Sequence, residues 1–183
     1  MTDREQYTPG PANMARVEKA GEKWTLILVK ELRHAPEKVW QALTDPSHLR
    51  EWAPFDVDAN LATARTVKLA WLGAPAPIET KVTRVEAPNV LEYGDILWEL
   101  EATLDGTRLT LWTNIDRRFV SMGAAGWHIA FDALDYLLSG KPIGRIAGGD
   151  AMKFAGWQRL NAEYAEQFGV KAPNWPPQPS QKS

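Results

Sequence analysis

The sequence of 183 residues contains no cysteine, which excludes disulfides, thiolate metal sites and thiol nucleophiles. Its formal net charge is only −2, so nothing electrostatic favours a nucleic acid or an anionic membrane as partner. No apolar run approaches the roughly 20 residues that span a bilayer, and residues 1–13 lack the apolar segment of a signal peptide. We therefore expect a soluble, cytoplasmic, single-domain protein.

Short motifs of catalytic and metal sites are also missing. The three histidines, His34, His48 and His128, do not have the spacing of metal ligands, and there is no Gly-x-Ser-x-Gly elbow. Glu99 and Glu101 lie two residues apart and would share one strand face, but that face is predicted to be solvated. The sequence therefore predicts no catalytic residue, no metal and no cofactor.

Two weaker signals for anion binding remain. The glycine-rich residues 144–150 precede a predicted helix and could offer free backbone N–H groups, although the strand-first context of a nucleotide site is missing. Arg117 and Arg118 follow a predicted strand and could meet a carboxylate. Adjacent surface arginines usually have no special role, so neither signal is assigned a ligand.

The chain divides into three parts by composition. Residues 1–20, with Pro9 and Pro11, are predicted to form a mobile tail. Residues 21–169 are predicted to form one domain that includes an extra helix at about 150–168. Residues 170–183 are rich in proline, contain Trp175 and are predicted to be extended.

Hydrophobic spacing places strands and helices within the domain. Strands are predicted at residues 24–33, 65–72, 78–86, 90–94, 96–104 and 107–115. Two short helices are predicted after Pro36 and after Pro46. A long helix is predicted from the apolar stripe of Trp127, Phe131, Leu134 and Leu138.

The dipeptide Asp105–Gly106 favours a two-residue type I′ hairpin loop. Such a loop would place Ala102 opposite Leu109, Leu100 opposite Leu111, and Trp98 opposite Thr113. These residues would form the core face, and the opposite face would be solvated apart from Trp112.

Several segments resemble the START-like (SRPBCC) superfamily, and most closely its heat-shock ATPase activator homologue branch. They are residues 35–46 continuing to Trp52, residues 98–100, residues 106–111 and residues 126–138. The resemblance implies an α+β helix-grip fold, in which a curved antiparallel sheet of about six to seven strands wraps a long C-terminal helix. It also implies a cavity that relatives use for lipids, hormones, polyketides or aromatic compounds, and, for the branch's namesakes, a role in chaperone stimulation and stress response.

The nine tryptophans suggest what such a cavity contains. We expect its walls to include Trp40, Trp52, Trp71, Trp98, Trp127 and Phe131. An empty void of about 300 Å³ would cost on the order of 7 kcal/mol, so the cavity is either occupied or plugged by these side chains. Tyr93, Thr113 and His128 are candidate polar groups, and packing is the favoured role of His128.

The leading hypothesis is a protein that binds an apolar or aromatic small molecule. The alternative is a protein-interaction module or homodimer that uses an outer face marked by Trp112 and Trp175. An enzyme acting on a bound aromatic substrate is the least favoured, since no catalytic constellation supports it.

Overall fold

The protein is described by a computed structural model that covers residues 2–173. The strands are β1 (Ala15–Ala20), β2 (Lys23–Leu32), β3 (Phe55–Val57), β4 (Thr66–Trp71), β5 (Ile78–Glu86), β6 (Val90–Tyr93), β7 (Ile96–Ala102) and β8 (Thr107–Ile115). The helices are α1 (Asp3–Gln6), α2 (Pro36–Thr44), α3 (Pro46–Leu49), α4 (Val120–Leu138), α5 (Gly148–Met152) and α6 (Ala155–Phe168), with a 3₁₀ turn at Arg117–Phe119.

The strands form one antiparallel sheet in the order β1-β2-β8-β7-β6-β5-β4-β3. The sheet curls around α4, so the α+β helix-grip fold is confirmed, with eight strands instead of six to seven. The two strands that the sequence did not predict are β1 and β3. The extra helix is also present as α6.

Helix α4 carries apolar residues on two sides, and both sides are buried against other elements. One side faces β2 and the concave surface of the sheet, and the other side packs against α6. Trp127, Phe131, Leu134 and Leu138 are all buried, as their helical spacing predicts. In residues 2–173, no helix is both long and apolar enough to cross a membrane.

The β7–β8 hairpin has the predicted core face but a register that differs by two residues. Leu100 pairs with Leu109, and Trp98 pairs with Leu111. Thr103 and Gly106 exchange two backbone hydrogen bonds, so the loop consists of the two residues between them. The predicted Asp105–Gly106 loop is therefore wrong, although a shift of two residues keeps every side chain on its predicted face.

The reason lies in a neighbouring strand. Gly106 does not have the positive φ that a type I′ turn requires. A Cβ at Gly106 would collide with the backbone of Leu32 and would lie 2.7 Å from the backbone nitrogen of His34. A glycine is needed at position 106 because the loop approaches the backbone after β2 too closely for a side chain.

The N-terminal segment also differs from its prediction as a mobile tail. Ala15–Ala20 pairs with β2 as an edge strand, and Tyr7 is buried with its ring stacked 6.0 Å from that of Phe154. Of the predicted C-terminal tail, only residues 170–173 are described and they form no regular element. Trp175 lies outside the described residues.

Candidate functional site

A cavity of about 590 Å³ lies between the concave face of the sheet and the N-terminal half of α4. Its apolar wall consists of Leu69, Trp71, Ile78, Tyr93, Ile96, Ile115 and Trp127. Ile78 is 56% exposed at the mouth, whereas Ile96 is only 4% exposed. The cavity therefore runs from the solvent into the interior of the grip.

The local sequence explains why these side chains face inward. Along β4, the burial of Val67 and Leu69 alternates with exposed neighbours, and Trp71 continues the inward series. On α4, Gly123 and Trp127 are four residues apart and lie on the same face. Gly123 has no side chain, so the side-chain tip of Ile115 can pack directly against the helix at this position.

A second cavity of about 330 Å³ adjoins the first. Both are lined by Trp71, Ile115, Gly123 and Trp127. The second is lined on its far side by Phe119 of the 3₁₀ turn, Met122 of α4, Met152 of α5 and Trp157 of α6. The rings of Trp71 and Trp127 meet edge-on at 6.2 Å between the two cavities. The site thus has two aromatic-walled lobes.

Deeper in the grip, aromatic side chains pack against one another. Trp52, Trp98 and Phe131 are each fully buried. The ring of Trp98 lies 6.0 Å from that of Trp52 and 5.8 Å from that of Phe131. The indole of Trp52 donates to the carbonyl oxygen of Ala42 at 2.9 Å, so its polar atom is satisfied.

The six residues expected to form the wall therefore occupy three different kinds of position. Trp71 and Trp127 line both lobes. Trp52, Trp98 and Phe131 belong to the filled interior, where only Trp98 and Phe131 contact Trp127, at 5.7 and 6.4 Å between rings. Trp40 is buried on α2 and lines neither lobe.

Most residues of the lining were not among those predicted from the sequence to form the site. Leu69, Ile96 and Ile115 lie two residues from the buried Val67, Trp98 and Thr113 on their strands, and this period of two identifies inward side chains. That pattern does not distinguish a residue that lines a cavity from one that fills the core. Gly123 carried a weaker signal as a glycine within a predicted helix.

Two of the three candidate polar groups lie at the cavity. Tyr93 is 1% exposed, and its phenolic oxygen accepts a hydrogen bond from the indole of Trp98 at 3.0 Å. Burial raises the pKa of Tyr93, so its hydroxyl is protonated at neutral pH. Thr113 is 8% exposed and also lines the cavity.

His128 lies on the opposite side of α4, where it has the packing role expected of it. Its Nδ1 is 2.6 Å from the hydroxyl of Tyr164 on α6, and its Nε2 is 3.7 Å from Asp132. Asp132 in turn accepts a hydrogen bond from Tyr7 at 2.6 Å and pairs with Lys30 at 3.2 Å. Burial lowers the pKa of His128 and raises the pKa of Tyr164 to about 12. This buried network joins α4 to α6 and to the N-terminal segment.

The remaining candidates from the sequence lie on the surface. Glu99 and Glu101 are exposed as expected, and Glu101 is 3.5 Å from Arg108. Arg118 pairs with Asp116 at 3.0 Å. Across residues 2–173, no group of three or more histidine, aspartate or glutamate side chains is placed to hold a metal ion.

An antiparallel sheet that grips a long helix around an aromatic-lined cavity defines a helix-grip protein. The model of the family described as Activator of Hsp90 ATPase homolog 1-like protein matches residues 33–139, which is 107 of the 183 residues. The chain therefore belongs to this family, and the START-like resemblance of the sequence is confirmed. No curated protein sequence matches the chain significantly.

Solved structures show the same fold. The conserved protein of unknown function EF2215 from Enterococcus faecalis is 14% identical, with a TM-score of 0.62 over 84% of this chain and 89% of that chain. CalU16 from Micromonospora echinospora is 21% identical, with a TM-score of 0.59 over 85% and 92%. DynU16, from the dynemicin biosynthetic locus, is 22% identical, with a TM-score of 0.56 over 68% and 51%. At these identities the likeness concerns the fold alone.

Proposed function

We propose that this protein binds an apolar or aromatic small molecule in the two lobes beside Trp71 and Trp127. The supporting observation is the cavity of about 590 Å³ between sheet and helix, a size within the range of small-molecule sites. Its walls are mainly apolar and include two indoles, which favour flat ligands through burial and stacking.

The exposed apolar side chains support the same location. Ile78 lies at the mouth of the first lobe, and Leu72 and Phe119 line the second lobe at 36% and 49% exposure. Large exposed apolar side chains that cluster at a cavity mark interaction sites more often than scattered ones do. An apolar ligand would cover them.

Binding can be tested with N-phenyl-1-naphthylamine, an uncharged probe whose fluorescence rises in apolar surroundings. We expect saturable binding of this probe to the purified full-length protein. Trp71→Ala should weaken binding roughly three- to tenfold, because one stacking wall is lost. Trp112→Ala is the matched control, since Trp112 lines neither lobe, and it should bind like the wild type.

Two outcomes would contradict the proposal. One is the lack of saturable binding by the folded wild-type protein. The other is an equal loss of affinity in Trp71→Ala and Trp112→Ala, which would place the probe elsewhere. Native mass spectrometry of the freshly purified protein would additionally show any ligand that is retained.

A second candidate function is contact with an Hsp90-type chaperone through the outer face of the sheet. Trp112 lies on that face with the guanidinium of Arg16 5.6 Å from its ring. Its indole N–H is buried and has no hydrogen-bond partner among residues 2–173. The rest of the Trp112 side chain is partly exposed, so a partner can contact its ring at this face without reaching the buried N–H.

The chaperone hypothesis predicts that the protein raises the ATPase rate of a purified Hsp90-type chaperone. Trp112→Ala should reduce this stimulation, whereas Trp71→Ala should preserve it. An unchanged ATPase rate with the wild-type protein would contradict this second function. The same two variants therefore distinguish it from small-molecule binding.

A further inference from the structure

Two residues that line the first lobe, Tyr93 and Thr113, carry hydroxyl groups with unused hydrogen-bonding capacity. The indole N–H of Trp98 can only donate, so Tyr93 serves as the acceptor in their 3.0 Å hydrogen bond. The phenolic hydrogen of Tyr93 meets no acceptor in the described part of the chain. The hydroxyl of Thr113 likewise forms no hydrogen bond with another described residue. Buried polar groups usually have partners, so the free hydrogen of the buried Tyr93 hydroxyl indicates an acceptor supplied from within the cavity. The Thr113 hydroxyl is not among the buried atoms that lack a partner, so it is accessible and free to bind a second polar atom.

The strand register places these two groups in one row. Tyr93 pairs with Ile96 across β6 and β7, and Ile96 pairs with Thr113 across β7 and β8. Directly paired residues share a face of the sheet, and two strand spacings separate their backbones by roughly 10 Å. Ile96 lies between them, and all three residues of the row line the lobe.

The charged side chains of this lobe lie at its mouth. Glu79, Lys81 and Asp95 are the charged side chains among its lining residues, and all three are exposed. No ionised side chain faces the row of Tyr93, Ile96 and Thr113 in the described structure. An ionised ligand group placed there would lose its hydration without gaining a counter-charge.

We infer that the ligand is an uncharged aromatic compound with a carbonyl or ether oxygen, which Tyr93 binds by hydrogen donation. Thr113 binds a second polar atom of the same compound, and Trp71 and Trp127 contact its apolar body. This inference rests on the proposed function and adds the chemical class of the ligand. It makes Tyr93 and Thr113 the residues that determine specificity.

A matched pair of tricyclic probes tests the inference. The compounds 9-fluorenone and fluorene have nearly the same shape, but only 9-fluorenone has a carbonyl oxygen. We expect the wild-type protein to bind 9-fluorenone more tightly by roughly three- to tenfold, the range for one hydrogen bond between neutral groups. In the double variant Tyr93→Phe/Thr113→Val, the affinity for 9-fluorenone should fall to that for fluorene.

Tyr93→Phe leaves the indole N–H of Trp98 without its partner, so this variant carries a risk of unfolding. Two further measurements do not depend on the Tyr93→Phe variant. Thr113→Val removes a hydroxyl that has no partner to lose, and it should leave the preference for 9-fluorenone unchanged, because this probe has no second polar atom for Thr113 to bind. A loss of the preference in this variant would overturn the assignment of the carbonyl oxygen to Tyr93. In the wild-type protein, the infrared carbonyl stretch of bound 9-fluorenone should shift to lower frequency relative to the same compound in hexane.

The outcomes separate the two levels of the proposal. Equal affinity for both probes, or an unshifted carbonyl stretch, would overturn the inference while leaving the proposed function intact. A preference for 9-fluorenone that persists in the double variant would also overturn it. If neither probe binds and neither displaces N-phenyl-1-naphthylamine, the proposed function itself fails.

Discussion

The two ends of the groove under the sheet are built from the same residue types but packed differently. At the filled end, Trp52, Trp98 and Phe131 are completely buried, and Trp52 and Phe131 both pack against Trp98. At the open end, Trp71 and Trp127 stand beside a cavity of about 590 Å³. Aromatic composition therefore does not decide which end is structural. What decides is whether neighbouring side chains occupy the remaining volume.

The energetic difference between the two ends is large. A dry void of 590 Å³ would cost on the order of 14 kcal/mol, about the whole stability of an ordinary domain. The open end is thus stable only when it is in contact with water or a ligand, whereas the filled end needs neither. We expect stability to depend mainly on the filled end and ligand affinity mainly on the open end.

Truncation at the filled end should have the largest effect. Trp98→Ala removes a fully buried indole and should lower the free energy of unfolding by about 3–5 kcal/mol. Urea denaturation measures this loss. Trp98→Phe should cause less than half the loss of Trp98→Ala, because a phenyl ring fills most of the same space. A loss below about 1 kcal/mol would show that the filled end does not determine stability.

Truncation at the open end should be less costly. Trp71 is partly exposed and packs mainly against Phe55, at 5.0 Å between ring centroids. Trp71→Ala should lower the free energy of unfolding by about 1–2 kcal/mol, measured in the same urea titration. A loss equal to that of Trp98→Ala would remove the distinction between the two ends.

A change of pH should alter stability without altering ligand affinity. Burial lowers the pKa of His128 in the folded protein below its usual 6.5, so the unfolded state binds the proton more readily. The stabilisation by neutral His128 is complete above about pH 6.5 and decreases as the pH falls below that value. Urea midpoints between pH 8 and pH 5 should show this decrease.

The control for the pH experiment is His128→Gln, whose side chain can still bond to Tyr164. Its urea midpoint should depend less on pH than that of the wild type. Affinity for N-phenyl-1-naphthylamine in the folded protein should stay constant, because His128 faces α6 and not the cavity. A parallel change in affinity would mean that the network and the cavity are coupled.

The smallest effect on stability is expected at Gly123. A Cβ at this position would lie 2.5 Å from the Cδ1 atom of Ile115, a side-chain tip that can move. Gly123→Ala also gains helix propensity of up to about 1 kcal/mol, so stability should change by less than about 1 kcal/mol. Affinity for the probe should nevertheless fall, because both lobes narrow. A large loss of stability would show that Ile115 cannot move.

The sequence predicted the faces of the sheet better than its pairing. Alternation places Trp98, Leu100, Leu109 and Leu111 inward whether or not the hairpin shifts by two residues. The register itself depends on Gly106 and the backbone of Leu32, a contact between distant parts of the chain. Strand β1 was missed for a similar reason, since Ala15–Ala20 has a weak pattern and gains its order by pairing with β2.

The candidate site was predicted only as a general location. Inward aromatic positions can be identified from spacing, and Trp71 and Trp127 were found in this way. The same spacing also selects Trp52, Trp98 and Phe131, because it does not report how much space lies next to each ring. Whether any of the six residues binds a ligand stays a prediction.

The hydrogen bonds between the N-terminal segment and the C-terminal part of the chain have a kinetic consequence. Arg4 donates to the carbonyl of Ile143, Met14 donates to Tyr164, and Gln167 donates to the carbonyl of Ala15. These partners are 139, 150 and 152 positions apart in the chain. Bringing such distant segments together costs loop entropy before any contact compensates for it. Docking of α6 and the N-terminal segment should therefore be among the last steps of folding, after the β7–β8 hairpin and α4 have formed.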